Sequence, residues 1–395
     1  MRKLFYIANI RFPTERAHGI QVAHMCSAFS RQGVAVTLLV PDRQTINEDP
    51  YTYYGVERNF MIEKIPVPDV VRFGKAGFLA ESLIFAWRAA GRVKKSLILN
   101  PLSLKNNLPA EDGSAPFIKG ELREGAIIYT REELPLLFLP RGSAFYEAHQ
   151  LRRSSFFKRL IRRARGVVAI TQGLKNALVQ IGISRERTLV AHDGYDEKSF
   201  AVRIDKNEAR RRLSLPLDKK IAMYIGGLEP WKGAETLCKA ASHLATDDIL
   251  VAIIGGTEEE IEKMKPRYPA VRLLGARSYR QLPANQQAAD ILVVPNSGQY
   301  EVSRSFSSPL KLFAHMASGI VFCAARTPAT EEVVTWEQAF PFTPDDPDDL
   351  TRVIARALSS ESLSDRLARA ASAEKRARDF TWDARASRIM AFLAT

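Results

Sequence analysis

Short apolar runs alternate with stretches of helical spacing along almost the whole chain, and this alternation constrains the fold more than any other feature of the sequence. In the first half the runs are rich in β-branched and aromatic residues and occupy positions 4–9, 34–40, 126–130, 144–148 and 166–170. Helix-compatible sequence lies at 19–29, at 78–93 and after the later runs. Such alternation predicts an α/β fold in which parallel sheets carry helices on both faces.

The series begins again after a polar, charged stretch at 200–216. New strand-like runs occupy 220–226, 249–255, 271–274, 290–295 and 320–323, and helical stretches occupy 236–244, 278–288 and 309–318, with further helices after Pro347. We therefore predict two doubly wound, Rossmann-like domains, over 1–200 and 201–378, and a separate amphipathic helix over 379–395. Residues 99–125 are predicted to be loop. Domains of this kind are expected to bind ligand in a cleft, outside the carboxyl ends of their strands.

Composition narrows the class of protein. A length of 395 residues fits two domains, and 46% apolar with 26% charged residues excludes a disordered chain. No run of about 18 apolar residues occurs, so no transmembrane helix is expected. The opening residues, MRKLFYIANI, are typical of a first strand and not of a signal peptide. The only cysteines, Cys26, Cys238 and Cys323, have neither metal-ligand nor disulfide-framework spacing, which favours a reducing cytoplasm.

The positive charge is concentrated in the first half. The net charge is +13, and residues 1–200 hold 30 Lys or Arg against 19 Asp or Glu, whereas residues 201–395 hold 27 against 25. Seven cations fall between 152 and 165, beside an apolar stripe of Phe156, Phe157, Leu160, Ile161 and Ala164. This helix either attracts an anionic membrane or packs in the core with a solvated basic face. No nucleic-acid recognition motif accompanies the charge.

The segment YIGGLEPWKG, residues 224–233, is a strand that ends at Gly226, turns through Gly227 and Lys232, and enters a helix after Gly233. A helix entrance with glycine and lysine can hold a phosphate through backbone N–H groups, the helix dipole and an ammonium group. The segment is not a Walker loop, because the lysine precedes the last glycine and no Ser or Thr follows it. The alternative is a plain strand–turn–helix connection with an exposed lysine.

A second segment, SSPLKLFAHMASG at 307–319, has the signals of a helix start and stop. Ser308 is predicted to be the N-cap and Pro309 the first helical residue. The free N–H groups of the first turn would then form an anion site together with Ser307. The alternative is an ordinary capped helix.

Taken together, five stretches resemble the retaining glycosyltransferases of the GT-B fold, specifically family 4, the glycosyl transferases group 1. They are residues 18–41, 166–200, 226–233, 288–296 and 307–319, in the order in which that family has them. The resemblance implies an acceptor-side first domain, a nucleotide-sugar second domain and a final helix that returns to the first domain.

The resemblance also assigns roles to single residues. It implies that Lys232 contacts the donor diphosphate and that His149 faces the donor sugar, so these two are the predicted catalytic residues. The alternative for His149 is a histidine that caps the next helix or is satisfied by hydrogen bonds at the strand end. The family arginine falls at Gly227, and its two glutamates fall at Phe306 and Ala314, so three expected side chains are missing. The predicted donor-binding residues are Gly19, Gly226, Gly227, Gly256, Arg277, Ser307, Ser308, Leu310 and Lys311, the last two through their backbone.

The implied function is transfer of a sugar from a nucleoside-diphosphate sugar to a saccharide or lipid-linked acceptor, with retention of configuration and without a metal ion, another cofactor or a protein nucleophile. With the basic first half, this suggests bacterial cell-surface polysaccharide synthesis in the cytoplasm, at the inner membrane face. Two alternatives stay open. The chain could be a degenerate sugar-nucleotide-binding protein that has lost turnover through Ala314 and Gly227. It could also be a GT-B epimerase, although the acidic and histidine groups that an epimerase needs are not identified.

Overall fold

The computed structural model describes residues 2–98, 126–246 and 248–394, which form two compact units. Unit 1 lies within Met1–Ile170, Leu174–Ala191 and Trp382–Thr395, and unit 2 comprises Thr171–Gly173 and His192–Thr381. The division falls nearer 191 than the predicted 200, because Tyr195 forms a parallel bridge with Thr381 and donates its N–H to the Phe380 carbonyl at 3.1 Å. The predicted loop at 99–125 lies outside the described residues.

Unit 1 is built on a seven-stranded sheet with the order β3-β2-β1-β4-β5-β6-β7, in which every pairing is parallel. Its elements up to residue 190 are β1 (Lys3–Ile7), α1 (Ala17–Arg31), β2 (Ala35–Asp42), α2 (Pro50–Tyr54), β3 (Met61–Pro66), α3 (Gly74–Ile98), β4 (Ile127–Thr130), α4 (Pro135–Phe138), β5 (Ala144–Ala148), α5 (Ser155–Ile161), β6 (Gly166–Ala169), α6 (Gln172–Gln180) and β7 (Thr188–Val190).

Unit 2 has a six-stranded parallel sheet with the order β10-β9-β8-β11-β12-β13. Its elements are α7 (Glu197–Ala201), α8 (Lys206–Arg212), β8 (Lys220–Ile225), α9 (Ala234–Thr246), β9 (Ile249–Ile254), α10 (Glu258–Met264), β10 (Val271–Leu273), α11 (Leu282–Gln286), β11 (Ile291–Val294), α12 (Leu310–Ala317), β12 (Phe322–Ala325), α13 (Pro328–Glu331), β13 (Phe340–Phe342), α14 (Pro347–Leu358) and α15 (Leu363–Ala377). Single turns of tighter or wider helix occupy Val71–Phe73, Pro230–Lys232, Tyr279–Gln281, Ser360–Ser362, Arg378–Phe380 and Val302–Phe306.

The central strands are buried on both faces, which is why the sequence shows short continuous apolar runs and not alternation. All four residues of β11 and of β12 are buried, and their side chains divide between two apolar clusters, one on each face of the sheet. The helix predicted at 278–288 is instead a short turn followed by α11, which has Pro283 in its first turn. Strand β12 begins two residues later than predicted, after Gly319 at a φ of +71°.

Helix α16 (Trp382–Leu393) belongs to unit 1 and packs against α1. The buried Trp382 ring stacks on His24, with centroids 5.9 Å apart, and Phe392 meets Phe145 edge-on at the same distance. Among the described residues, no helix combines the length and the apolar character needed to cross a membrane.

Candidate functional site

In unit 2, the predicted site residues follow the carboxyl ends of neighbouring parallel strands. Gly226 comes directly after β8, Gly256 lies two residues beyond β9, and Arg277 is exposed in the turn after β10. Helix α12 follows β11, which is the other neighbour of β8 in the sheet. Strand order reverses between β8 and β11, and ligands of doubly wound sheets bind at such a switch point.

The glycine–lysine loop is organised around an ion pair. The Lys232 ammonium lies 2.8 Å from the Glu229 carboxylate, which is half-buried. Burial alone would raise the pKa of Glu229, but the hydrogen bond and charge of Lys232 lower it below its usual value. Gly227 lies directly beneath the pair: a Cβ atom here would stand 2.2 Å from Glu229 Oε2 and 2.6 Å from Lys232 Nζ. Because residue 227 has no side chain, there is room for the Glu229–Lys232 ion pair.

The start of α12 differs from the prediction. Pro309 is the N-cap and no side chain caps the helix, so the prediction of a Ser308 cap is wrong. The buried Ser308 hydroxyl instead accepts a hydrogen bond from the Asp193 N–H at 2.8 Å, which fixes the turn before the helix. Ser307 is half-buried, and Leu310 and Lys311 occupy the first turn, where the backbone N–H groups of a helix have no intrahelical partner.

The side chain of Lys311 reaches the same loop, which the sequence did not predict. Its ammonium lies 4.5 Å from the centroid of the Tyr224 ring and donates to the Tyr224 hydroxyl at 3.2 Å. Burial, followed by the nearby charge of Lys232, lowers the pKa of Lys311 to about 7, against a smaller raising effect of Glu229. The only sequence signal was a lysine in the first turn of a helix, and that signal does not reveal where a long side chain points.

Ala314 and Phe306, the positions of the two family glutamates, are both buried. Ala314 has no exposed surface and packs in the apolar cluster that includes Leu312, Phe313 and Met316. A carboxylate at position 314 would lie in an apolar environment, which is unfavourable. The packing around this position therefore suits alanine and not the family's glutamate.

In unit 1, the candidate site is centred on Glu147, which the sequence did not single out. The Glu147 carboxylate is fully buried near the end of β5. It accepts hydrogen bonds from several side chains: Tyr6 Oη at 3.4 Å, Gln21 Nε2 at 2.7 Å, His149 Nε2 at 2.6 Å, Arg385 Nη2 at 3.1 Å and Tyr129 Oη. Although burial opposes ionisation, Arg385 and His149 hold the pKa of Glu147 well below its usual range.

His149 is held in one protonation state by this carboxylate. Burial and then the Arg131 charge lower the pKa of His149 to about 4, against a raising effect of Glu147. The ring is therefore neutral near pH 7, and its single proton lies on Nε2, because an ionised carboxylate only accepts. The Nδ1 atom is left as an acceptor. The side chain of His149 is 18% exposed, so a ligand can reach it.

Two more ionisable residues, His18 and Arg131, interact electrostatically with His149, and Glu132 follows Arg131 in the chain. His18, at the start of α1, has its pKa lowered to about 4 by burial, with Arg131, Arg16 and His149 adding to the effect. Arg131 follows β4 and donates to Gln21. Glu132 is half-buried, and burial raises its pKa to about 7.

Gly19 lies inside α1 and is buried. A Cβ atom there would stand 2.2 Å from the Tyr54 hydroxyl, which donates to the Thr14 carbonyl at 2.9 Å and accepts from the Thr14 N–H at 2.7 Å. Packing against Tyr54 therefore accounts for a glycine at position 19 without a ligand.

The basic helix α5 has seven residues, shorter than its charge pattern suggested, and its apolar stripe is not uniformly buried. Phe157, Leu160, Ile161 and Ala164 are in the core, whereas Phe156 is 54% exposed. Beside it lies a cavity of about 790 Å³ between α4 and α5, lined by Leu137, Arg141, Ser155, Phe156, Lys158, Arg159, Leu160, Arg162 and Arg163. Arg163 donates to the Leu136 and Leu139 carbonyls and so fixes the cavity wall.

Comparison with known proteins agrees with this architecture. The family model described as "Glycosyl transferases group 1" matches residues 205–374. A D-inositol 3-phosphate glycosyltransferase of Streptosporangium roseum is 26% identical over 251 residues, which are 59% of this chain and 55% of that protein. The chain spans between about a third and just over half of the length of the curated relatives it matches first.

Solved structures match over the whole chain. The Anabaena protein Alr3699/HepE, in complex with UDP and glucose, is 18% identical with a TM-score of 0.69, and the match covers 100% of both chains. WaaG, a glycosyltransferase involved in lipopolysaccharide biosynthesis, is 14% identical with a TM-score of 0.63 and covers 98% of both. These likenesses show the fold, which is that of the GT-B glycosyltransferases. Residues 205–374 of the chain are similar to the glycosyl transferases group 1 family.

Proposed function

We propose that the chain transfers a sugar from a nucleoside-diphosphate sugar to a saccharide or lipid-linked acceptor, with retention of anomeric configuration. The observation that carries this proposal is the cluster in unit 2 where the Lys232 loop, the first turn of α12 and the Lys311 ammonium converge at the switch point of the sheet. Ammonium groups and free backbone N–H groups together suit a diphosphate. This cluster lies within the segment that matches the family model.

In the proposed reaction, unit 2 stabilises the leaving group. As the glycosidic bond breaks, negative charge would develop on the nucleoside diphosphate, and the Lys232 ammonium would stabilise it as a preorganised cation. The departing phosphate would take the proton of the attacking acceptor hydroxyl on the same face of the sugar, so the reaction would need neither a metal ion nor a protein nucleophile.

Unit 1 contributes His149 to this proposal. Its neutral ring, with the proton on Nε2 directed at Glu147, presents Nδ1 as an acceptor for a sugar hydroxyl. A histidine that stays neutral adds no positive charge next to a sugar that becomes cationic in the transition state. We therefore assign His149 to orienting the sugar and Glu147 to positioning His149.

The test is release of nucleoside diphosphate from a panel of UDP-, GDP- and ADP-sugars, with membrane extract as acceptor and with EDTA present. We expect release by the wild type and a loss of at least 100-fold in Lys232→Met, a size typical of removing one group that stabilises transition-state charge. Lys239→Met, an exposed lysine of α9, is the matched control and should keep full activity. Nucleotide binding without any release would instead favour the degenerate binding protein.

For the acceptor side, we propose that unit 1 docks on an anionic membrane surface that carries a lipid-linked acceptor. Supporting this are the exposed Phe156 and the cations of the α4–α5 cavity, of which Arg141, Lys158 and Arg159 form no ion pair with any described residue. An apolar ring among cations matches the interface of an anionic bilayer, where each cation contributes about 1 kcal/mol.

Vesicle co-sedimentation tests the docking. The wild type should bind vesicles of phosphatidylglycerol and phosphatidylcholine but not phosphatidylcholine alone, and Lys158→Glu/Arg159→Glu should reduce binding at least tenfold. The double variant Arg211→Glu/Arg356→Glu makes the same charge change at exposed positions of unit 2 and should bind as the wild type does. Equal losses in both double variants would show that only net charge matters and would remove the proposed docking surface.

A further inference from the structure

We infer that the side chain of Lys311 is a second cation for the donor diphosphate, acting together with Lys232. This inference rests on the proposed function, since it takes the ligand of the unit 2 cluster to be a nucleoside diphosphate. It goes beyond the role expected for Lys311, which was limited to its backbone N–H.

The Lys311 ammonium is held in place by the side chain of Tyr224. Tyr224 is fully buried at the end of β8, and its hydroxyl donates to the Gly227 carbonyl at 2.6 Å. The proton of this hydroxyl is therefore used in that hydrogen bond, and its oxygen accepts a hydrogen bond from the Lys311 ammonium at 3.2 Å. The ammonium also makes a cation–π contact with the ring, 4.5 Å from its centroid. These two contacts direct the charge of an α12 residue onto the loop that carries Lys232.

The unit 2 cluster has more positive than negative groups. The cluster holds two ammonium groups, Lys232 and Lys311, and one carboxylate, Glu229, which is bound to Lys232. Across residues 2–98, 126–246 and 248–394, no carboxylate lies within ion-pair distance of Lys311. A half-buried cation whose contacts are an aromatic ring and a hydroxyl remains open to an anion.

Gly227 limits which positions of the loop can carry a cation. A residue with a Cβ at this position would collide with both members of the Glu229–Lys232 pair. The loop therefore cannot present a further cation from 227 while the pair is formed. Helix α12 supplies the second cation instead, through the side chain of Lys311.

The arrangement implies that anion binding is coupled to proton uptake. The groups that face Lys311 are Lys232 and Glu229 from the loop, Tyr224 from β8 and His315 of α12, whose pKa is lowered by burial and then by the Lys311 charge. Burial together with Lys232 brings the pKa of Lys311 to about 7. A bound diphosphate favours the charged ammonium and raises this pKa. Above pH 7, binding should therefore draw a proton from solvent, and affinity should fall as the pH rises.

Isothermal titration calorimetry with UDP, GDP and ADP, at pH 7.5 in buffers of different ionisation enthalpy, tests this. We expect one diphosphate to bind the wild type with uptake of a fraction of a proton. Lys311→Met should bind it at least tenfold more weakly and take up no proton. Lys311→Arg keeps the charge at all accessible pH values, so it should retain affinity but lose the proton uptake. Lys239→Met should match the wild type in both.

The outcomes separate the two levels of the proposal. Equal affinity and equal proton uptake in the wild type and Lys311→Met would overturn the inference and leave the donor site itself standing. Failure of all three diphosphates to bind the folded wild type would overturn the proposed donor and, with it, the role of Lys311. Thermal unfolding of each variant establishes that it is folded in the calorimeter.

Discussion

The Arg385 guanidinium of α16 lies 3.1 Å from the Glu147 carboxylate of β5, and the two side chains are 1% and 0% exposed. The same guanidinium donates to the carbonyl of Ala191, which ends the second of the three segments of unit 1. One buried cation thus joins the last helix to the strand that directly precedes His149, the proposed sugar-orienting residue.

Replacing Arg385 should be costly. Arg385→Met leaves the Glu147 carboxylate buried without its main counter-charge, and loss of one partner of a buried pair typically costs about 3–5 kcal/mol. We expect a loss of that size in the free energy of unfolding in urea. Arg388→Met changes an exposed arginine one turn away and should stay within about 0.5 kcal/mol of the wild type. Similar values for the two variants would contradict the assigned role of the pair.

The protonation of His149 should be visible directly. With ¹⁵N-labelled histidine, NMR should show His149 as the neutral Nε2–H tautomer at pH 7, with a titration midpoint at about 4, because burial and Arg131 oppose its charging. Glu147→Gln removes the carboxylate and with it the preference for a proton on Nε2, so the tautomer should become mixed. A midpoint near the ordinary histidine value of about 6.5 would exclude the described environment.

Glu132 should make the stability depend on pH. Burial raises its pKa to about 7 in the folded state. Between about pH 4.5 and 7 the folded chain holds a proton that the unfolded chain has released, so this group's contribution to stability is lost as the pH rises. Glu132→Gln should therefore be more stable than the wild type at pH 8 by about 1–3 kcal/mol, and the difference should shrink towards pH 4.5. A constant difference across this range would show that Glu132 does not titrate as described.

Gly227→Ala should disturb the loop. The new methyl group would displace the Glu229–Lys232 pair, so donor affinity and the rate of nucleoside-diphosphate release should both fall, by about tenfold or more. Gly91→Ala, on the exposed side of α3 where a Cβ meets no atom within 4 Å, is the control. That substitution should leave release unchanged and stabilise the helix by up to about 1 kcal/mol. Unchanged release in Gly227→Ala would show that the pair does not depend on the glycine.

The α/β fold was predictable because parallel strands buried on both faces leave a strong mark on the sequence. The resemblance placed Gly226 and Lys232 on one strand–helix connection and α12 after another, and the structure brings both connections to one edge of the sheet. Local signals failed where a long-range contact decides the outcome. Ser308 looked like a helix cap, but its hydroxyl is taken by Asp193, which is 115 residues away in the sequence.

The polar network of unit 1 was beyond prediction for the same reason. The network joins three distant parts of the chain, through Gln21, Glu147 and Arg385. None of these residues belongs to a sequence motif from which its hydrogen-bond partners could be predicted. Lys311 is a similar case, because a side chain that crosses from one connection to the next leaves no periodicity in the sequence. Phe156 differs in kind: it lies on the apolar stripe for which the sequence left both core packing and membrane contact open, and the structure leaves it 54% exposed near the start of α5.

The interruption of unit 1 in the sequence has a consequence for biosynthesis. A ribosome completes β1 to β7 and then makes the 190 residues of His192–Thr381 before Arg385 emerges. Throughout that interval the Glu147 carboxylate lacks its main counter-charge, so the nascent first sheet cannot reach its final stability ahead of the second. The order of synthesis therefore makes the first unit the last to be finished, and a chain truncated before α16 would carry a complete sheet with an uncompensated charge at its centre.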